Sequence, residues 1–179
     1  GSSALAAPAG DLPLMPWPAS VERPSTQGAL ILNDTLSVSV SGDDLGDAVD
    51  RLRQRIALQT GWTLQPQAVN PDKPTIRIAI AKKVTPQPLP DSDESYTLTV
   101  DANGVNIAAN TRFGALRAME TLLQLIQNGA ENTSLPWVKI ADAPRFPWRG
   151  LLLDSARHFI PLEDIKRQID GMAAAKLNV

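Results

Sequence analysis

Short stretches in which apolar and polar residues alternate recur along the chain, and this pattern is typical of half-buried β-strands. The clearest stretch is 36–40, where Leu36 and Val38 alternate with serines. Asn103 and Gly104 separate two further stretches and predict a tight hairpin turn. In all, the alternation predicts strands at 29–32, 36–40, 62–64, 75–80, 96–100, 104–108 and 135–140.

Two longer stretches carry apolar residues at intervals of three and four positions, which predicts amphipathic helices. The first helix is capped at Ser41 or Asp43 and ends at Gly61, because glycine after the last apolar position is a stop signal. The second helix opens at Asn110 or Thr111 and has the more strongly apolar face.

Together these elements predict an α+β domain over residues 25–141. Its sheet is expected to be mixed and mostly antiparallel, with two helices on one face. Residues 1–24 are rich in proline and predict an extended arm, with Trp17 as the residue that would hold the arm to the domain. The stretch 142–144 marks the predicted domain boundary.

A different pattern begins after residue 144. Arg149 precedes an apolar run, 151–153, which predicts a buried strand, and Pro161 then starts an amphipathic helix over 162–178. A buried strand followed by a helix is the repeating unit of the β/α barrel. Residues 144–179 therefore predict one β/α unit, begun and not finished.

The composition excludes several classes of function. The 179 residues include 19 acidic and 17 basic side chains, so the net charge of −2 gives no field that would attract nucleic acid. There is no cysteine and a single histidine, His158, which excludes disulfides, thiolate metal sites, a cysteine nucleophile and multi-histidine metal sites. No apolar run approaches the about 20 residues that span a bilayer.

Arg149 is the most unusual candidate for a binding residue, since it stands beside a glycine at the start of an apolar run. A buried guanidinium is costly without partners. One interpretation is a fork of donors that grips the hydroxyl or carboxylate oxygens of a ligand. The other is a structural ion pair with Asp154, with Asp142 or with a carboxylate elsewhere, and spacing alone favours the ion pair.

Asp154, Arg157 and His158 follow the predicted strand, where barrel enzymes place catalytic groups. A cap is nevertheless the commoner role for Asp154. A lone histidine with no serine or cysteine partner at motif spacing is more often a structural residue than a base. The acidic run 91–94 lacks the spacing and the glycine of a calcium loop, and it predicts a solvated loop.

The C-terminal motif resembles a known family. Residues 149–154, Arg-Gly-Leu-Leu-Leu-Asp, with Arg-His-Phe at 157–159 and Lys-Leu-Asn at 176–178, are similar to the opening of the catalytic barrel in family-20 glycoside hydrolases, the β-N-acetylhexosaminidases. Segments at 94–100 and 114–125 resemble the α/β domain that precedes this barrel. The resemblance covers residues 12–179, and the stretch 144–179 carries its specific part. It implies that residues 144–179 are the first strand and the first helix of a truncated (β/α)8 barrel.

The resemblance implies hydrolysis of terminal, non-reducing N-acetylhexosamine by substrate-assisted retention, in which the 2-acetamido group of the sugar attacks its own anomeric carbon. It also implies that Arg149 binds the hydroxyls at C3 and C4 of the terminal sugar. Asp154, Arg157 and His158 receive supporting or structural roles at the mouth of the barrel. The resemblance implies no metal and no organic cofactor.

In this family the catalytic Asp-Glu pair lies on a later barrel strand, beyond Val179. We therefore expect no hydrolysis by this chain alone, although its parent enzyme would act on glycans that end in N-acetylglucosamine or N-acetylgalactosamine. The expected partners are those glycans, the rest of the catalytic domain and a second copy of the chain through the unfinished barrel segment. Neither nucleic acid nor a membrane span is expected.

Two further expectations concern role and location. The alternative to an enzyme fragment is a non-catalytic module that interacts with a protein or a glycan. The Ala/Pro-rich stretch 4–10 resembles the sequence that commonly follows a signal-peptide cleavage site, which favours a secreted or periplasmic protein.

Overall fold

The computed structural model describes residues 12–64 and 73–179; the N-terminal part of the predicted arm, residues 1–11, lies outside the described residues. The sheet-forming part up to Asp142 is called the sheet domain below, and residues 144–179 are called the C-terminal segment. The elements are β1 (Ser20–Glu22), β2 (Ala29–Leu32), β3 (Val38–Ser41), α1 (Ala48–Thr60), β4 (Ile76–Ile80), β5 (Tyr96–Asp101), β6 (Gly104–Ala109), α2 (Arg112–Leu125), β7 (Gln127–Asn128), β8 (Thr133–Pro136), β9 (Val138–Asp142) and α3 (Leu162–Ala174).

The main sheet has six strands in the order β1-β9-β5-β6-β4-β3. Strands β3, β4 and β6 run parallel to one another, whereas the pairs β6–β5, β5–β9 and β9–β1 are antiparallel. A smaller antiparallel sheet has the order β2-β8-β7. The predicted α+β domain with a mixed, mostly antiparallel sheet is confirmed.

One face of the main sheet supplies the core. Ile78, Ile107, Leu98 and Ile140 stand side by side on four neighbouring strands, and none is more than 2% exposed. Thr97, the residue before Leu98, is exposed on the opposite face, as the alternation of a strand requires. Helix α2 packs on β4, β5 and β6, and α1 packs beside α2, so the two helices share the covered face as predicted.

The ends of both helices follow signals that the sequence carries. Thr111 caps α2, and its hydroxyl accepts a hydrogen bond from the Phe113 N–H at 3.2 Å. Gly61 ends α1 with a φ of 73°, in the left-handed region, and its N–H donates to the Ala57 carbonyl. The predicted helix stop and one of the two predicted caps are therefore correct.

The start of α1 differs from the prediction. A cap at Ser41 or Asp43 was expected, but α1 begins at Ala48. The carboxylate of Asp44 accepts a hydrogen bond from the Gly46 N–H at 2.7 Å, which stabilises a turn in the intervening residues. This side chain competes with the helix for the backbone and delays the first helical residue.

Two predicted strands also differ. The stretch 135–140 is divided at Trp137, because its first half pairs with β2 in the small sheet and its second half with β5 in the main sheet. The Trp137 N–H donates to the Gly28 carbonyl at 2.9 Å, which marks the transfer between the sheets. Stretch 62–64 forms no strand, and the Trp62 N–H bonds instead to the Thr60 hydroxyl at the end of α1.

The arm is attached differently from the prediction. Trp17 was expected to hold it, yet Trp17 is 50% exposed, whereas Leu12 and Leu14 are buried. The backbone of Met15 exchanges two hydrogen bonds with the side-chain amide of Gln124 on α2. Residues 20–22, which were assigned to the extended arm, form the edge strand β1 of the main sheet.

The C-terminal segment contains the predicted helix, α3, but its apolar run forms no ladder of strand hydrogen bonds. Leu152 is 91% exposed, so the predicted burial of 151–153 is wrong in this structure. A barrel strand is buried by strands on both sides, whereas this run pairs at one point only. The Leu151 N–H donates to the Val179 carbonyl and the Val179 N–H to the Arg149 carbonyl, both at 3.1 Å, as in adjacent parallel strands.

Candidate functional site

A buried carboxylate joins the sheet domain to the C-terminal segment. Glu94 lies just before β5, and its side chain is 6% exposed. One of its oxygens accepts hydrogen bonds from Arg117 on α2, from Nε at 2.8 Å and from Nη2 at 2.6 Å. The other oxygen accepts from Nη2 of Arg149. One negative charge thus holds two guanidinium groups that come from different parts of the molecule.

Arg149 has a protein partner at each of its three guanidinium nitrogens. Besides the bond to Glu94, Nε donates to the Lys176 carbonyl at 2.9 Å and Nη1 to the Phe146 carbonyl at 2.7 Å. The side chain is 16% exposed. These contacts match the structural alternative, an ion pair with a carboxylate elsewhere. The sugar-binding role that the resemblance implies for Arg149 stays a prediction.

A second buried charge lies close to the first. Lys176 follows α3 with a φ of 59°, and its side chain is 7% exposed. Its ammonium group donates to the Asp142 carboxylate at 3.0 Å and to the Tyr96 hydroxyl at 2.9 Å. The Tyr96 hydroxyl also lies 2.5 Å from that of Thr121 on α2. Burial lowers the pKa of Lys176, partly offset by Asp142, and burial raises the pKa of Tyr96.

We call these residues the charged cluster: Glu94, Tyr96, Arg117, Asp142, Arg149 and Lys176. Sequence reasoning identified Arg149 and named Asp142 as a possible partner, but it did not identify Glu94 as the actual partner or single out Lys176. The available signal was weak, because a Lys after a helix and a Glu in an acidic loop are both usually solvated.

The charged cluster borders a pocket of about 570 Å³ between the arm, the sheet domain and the C-terminal segment. Trp17 and Phe146 also line it and are 50% and 57% exposed. The Arg145 guanidinium lies 4.7 Å from the centre of the Phe146 ring. The charged groups of the cluster bond to one another, so none of them is free to act as an acid or a base in this pocket. The contact between the sheet domain and the C-terminal segment, which the pocket borders, is called the joint below.

The other candidates lie at the far end of the apolar run. One oxygen of Asp154 accepts hydrogen bonds from the backbone N–H groups of Ala156 and Arg157, so Asp154 caps this turn. The Arg157 side chain is 91% exposed, with Nε 3.3 Å from Asp154. His158 is also exposed. The structure therefore separates Arg149, which is enclosed, from Arg157, which extends into solvent.

The described residues offer neither a metal site nor a membrane-spanning helix. No group of three or more His, Cys, Asp or Glu side chains among residues 12–64 and 73–179 is placed to hold a metal ion. No helix in the same ranges is long and apolar enough to cross a membrane.

In the acidic loop, Asp93 accepts hydrogen bonds from Ser95 and Asn110, which lower the pKa of its carboxyl group.

Comparison with known proteins finds the same two parts: a mixed sheet domain, and after it the first helix of a β/α barrel. The profile of glycosyl hydrolase family 20, domain 2, matches residues 11–143. The profile of the catalytic domain of glycosyl hydrolase family 20 matches residues 146–179. The chain belongs to glycosyl hydrolase family 20.

Individual relatives agree with this assignment. The chain is 34% identical to a β-hexosaminidase of Vibrio furnissii over 95% of its own length and 26% of that protein. A chitobiase structure from Flavobacterium johnsoniae superimposes with a TM-score of 0.84 at 37% identity, covering 93% of this chain and 26% of the other. An exo-β-N-acetylglucosaminidase from Vibrio harveyi, solved with N-acetylglucosamine, gives 0.74 at 27% identity, covering 93% and 24%. The chain thus spans about a quarter of the length of these relatives.

Proposed function

We propose that this chain is the N-terminal part of a β-N-acetylhexosaminidase that removes terminal, non-reducing N-acetylhexosamine from glycans. The observation that carries the proposal is the order of the two matches, domain 2 followed directly by the opening of the catalytic domain. Alignment with a β-hexosaminidase over 95% of the chain supports it. The ranges of the two matches also support a domain boundary at 142–144.

The proposed reaction is substrate-assisted retention. The 2-acetamido carbonyl of the substrate attacks the anomeric carbon, a glutamic acid protonates the leaving oxygen and an aspartate orients the acetamido group. By resemblance to the family, both carboxyl groups belong to the part of the catalytic domain that follows the match at 146–179. A barrel of this kind needs about 250 residues. The chain alone should therefore bind sugar weakly and hydrolyse none.

Two arginines of the motif compete for the role of sugar ligand. Arg149 was predicted to bind the hydroxyls at C3 and C4, but its guanidinium nitrogens already donate to Glu94, Lys176 and Phe146. Arg157 is 91% exposed in the turn after the apolar run, the end at which barrels place their active sites. The observed contacts favour Arg157 for the sugar and a structural role for Arg149.

The test is release of nitrophenol from p-nitrophenyl N-acetyl-β-glucosaminide by the 179-residue chain and by the full-length protein. We expect turnover by the full-length protein only. Turnover by the chain alone would contradict the absence of its catalytic pair. No turnover by the full-length protein with N-acetylglucosaminide or N-acetylgalactosaminide would favour the non-catalytic interaction module instead.

Variants of the full-length protein then separate the two arginines. Arg157→Lys should raise KM or lower kcat/KM by about 10-fold or more while thermal stability stays unchanged, because a lysine cannot supply the same fork of donors. Arg149→Lys should mainly lower stability. The reverse result would restore the predicted sugar-binding role of Arg149.

Two finer features belong to the proposal. The Ala/Pro-rich stretch 4–10 supports a secreted or periplasmic location, which fractionation of the source cells would test. The exposed apolar side chains of the C-terminal segment, such as Leu152 and Phe159, support the remaining barrel strands and helices as their natural cover.

A further inference from the structure

The sheet domain holds the C-terminal segment at two points through the charged cluster. At the first point, Glu94 binds Arg149 at the start of the apolar run. At the second, Asp142 and Tyr96 bind Lys176, and Arg117 donates to the Leu177 carbonyl at 3.2 Å. Arg149 also links the two points directly, since its Nε donates to the Lys176 carbonyl.

These two points come immediately before two successive strands of the proposed barrel. The Leu151 N–H donates to the Val179 carbonyl and the Val179 N–H donates to the Arg149 carbonyl, in the manner of parallel neighbours, with Gly150 opposite Val179. A Cβ on Gly150 would lie 2.9 Å from the Val179 carbonyl oxygen, so the two backbones are in close contact. The Arg149 N–H also donates to the side chain of Asn178 at 2.9 Å. The charged cluster therefore fixes where both strands begin.

Polar contacts, rather than apolar burial, make this attachment. Helix α3 has no buried residue. Leu151 and Leu152 are 45% and 91% exposed, so the apolar run is not packed on the sheet domain. By contrast, the side chains of Glu94 and Lys176 are 6% and 7% exposed. Loss of a buried pair therefore removes a contact that nothing apolar replaces.

We propose that Glu94 is a positioning residue, through which the sheet domain sets the first two barrel strands and the Asp154–Arg157 turn that follows the first of them. Glu94 touches no substrate in this scheme. It acts through Arg149, whose strand carries the turn at its other end. The consequence for catalysis rests on the proposed hexosaminidase function, whereas the consequence for structure does not.

Hydrogen exchange on the 179-residue chain tests the structural consequence. In Glu94→Gln the backbone amides of Leu151, Asn178 and Val179, which are hydrogen-bonded in this joint, should exchange about tenfold faster or more. The core amides of β5 and β6 report global unfolding, and the ratios among their exchange rates should stay as in the wild type. The change at the joint is judged against them. Unchanged exchange at the joint would overturn the proposal.

Two further variants test whether the effect at the joint is specific to the contact between Glu94 and Arg149. Glu22→Gln removes an ion pair with Lys139 that joins β1 to β9 within the sheet domain, so it should leave the joint amides unchanged. The double variant Glu94→Gln/Arg149→Met should be no more dynamic at the joint than the more affected single variant, because the two residues act through one contact. Additive effects would show that Glu94 does not act through Arg149.

The consequence for catalysis is measured by steady-state kinetics of the full-length protein, well below its melting temperature. Glu94→Gln should raise KM for the N-acetylglucosaminide about fivefold or more, with Glu22→Gln close to wild type. Faster exchange with unchanged KM and kcat would leave a purely structural contact and overturn the positioning role. Absence of turnover in the wild type would contradict the proposed function, and the exchange result would then decide the role of Glu94 alone.

Discussion

At the scale of residues, the buried charges at the joint are paired between elements and not within them. Glu94, before β5, binds Arg117 on α2 and Arg149 in the C-terminal segment. Lys176, after α3, binds Asp142 at the end of β9. A buried charge is tolerated when its partner and further hydrogen bonds replace water. These pairs therefore specify how the segment meets the sheet domain more than they add stability.

Asp93 provides a prediction about pH. Hydrogen bonds from Ser95 hold the pKa of its carboxyl group below the usual 3.8, and a bond from Asn110 adds to this effect. A carboxyl group whose pKa is lower in the folded state stabilises the protein above the unfolded pKa. That contribution is lost as the pH falls through the folded pKa.

We therefore expect Asp93→Asn to reduce the free energy of unfolding at pH 7, with the difference from wild type shrinking steadily below about pH 4. Urea unfolding followed by tryptophan fluorescence between pH 7 and pH 2.5 measures this. Asp91→Asn, which removes the same charge two residues earlier, is the control. A difference that grows in acid would contradict the assignment.

At the scale of elements, the fit of α2 against β5 depends on a glycine. A Cβ on Gly114 would lie 2.2 Å from the Ser95 carbonyl oxygen, a backbone atom that cannot rotate away. The helix must therefore approach the strand at a point where no side chain fits. The hydrogen bond from the Thr111 hydroxyl to the Asp93 carbonyl ties the start of α2 to the same loop.

Gly114→Ala should accordingly destabilise the chain by about 2–3 kcal/mol, because the helix or the strand must shift to admit the methyl group. Gly171→Ala is the matched control, since Gly171 lies in α3 with nothing within 4 Å of a Cβ. That change should stabilise α3 by about 0.5–1 kcal/mol through helix propensity. Chemical denaturation of both variants gives the comparison, and equal effects would refute the packing explanation.

At the scale of the whole molecule, a compact sheet domain carries a segment whose apolar side chains face outward. Leu152, Phe159, Leu162 and Ile169 are 91%, 82%, 62% and 55% exposed. Large apolar side chains that are exposed together favour association. The charged cluster holds this segment in place without covering those side chains.

We expect the isolated chain to self-associate with rising concentration, and Leu152→Glu combined with Phe159→Glu to shift it toward monomer. Sedimentation velocity across a range of concentrations measures the shift. Leu58→Glu, at an 83% exposed leucine on α1 of the sheet domain, is the control and should leave association unchanged. A wild-type chain that stays monomeric at all concentrations would contradict this expectation.

The sequence by itself determined most of the elements and the family. Alternation and three-to-four spacing depend only on neighbours in the chain, so 29–32, the hairpin at Asn103–Gly104 and the ends at Thr111 and Gly61 could be read directly. The motif at 149–159 indicated the family for the same reason, because a motif is local.

Only the tertiary structure decided which distant groups meet. The stretch 135–140 is uniformly strand-like, and its division between two sheets depends on distant strands: β2, more than 100 positions earlier, and β5, about 40 positions earlier. Likewise Arg149 required an oxygen partner, but several carboxylates were equally possible until folding enclosed Glu94 beside it. Burial and ion pairing depend on three-dimensional proximity, which the order of residues does not display.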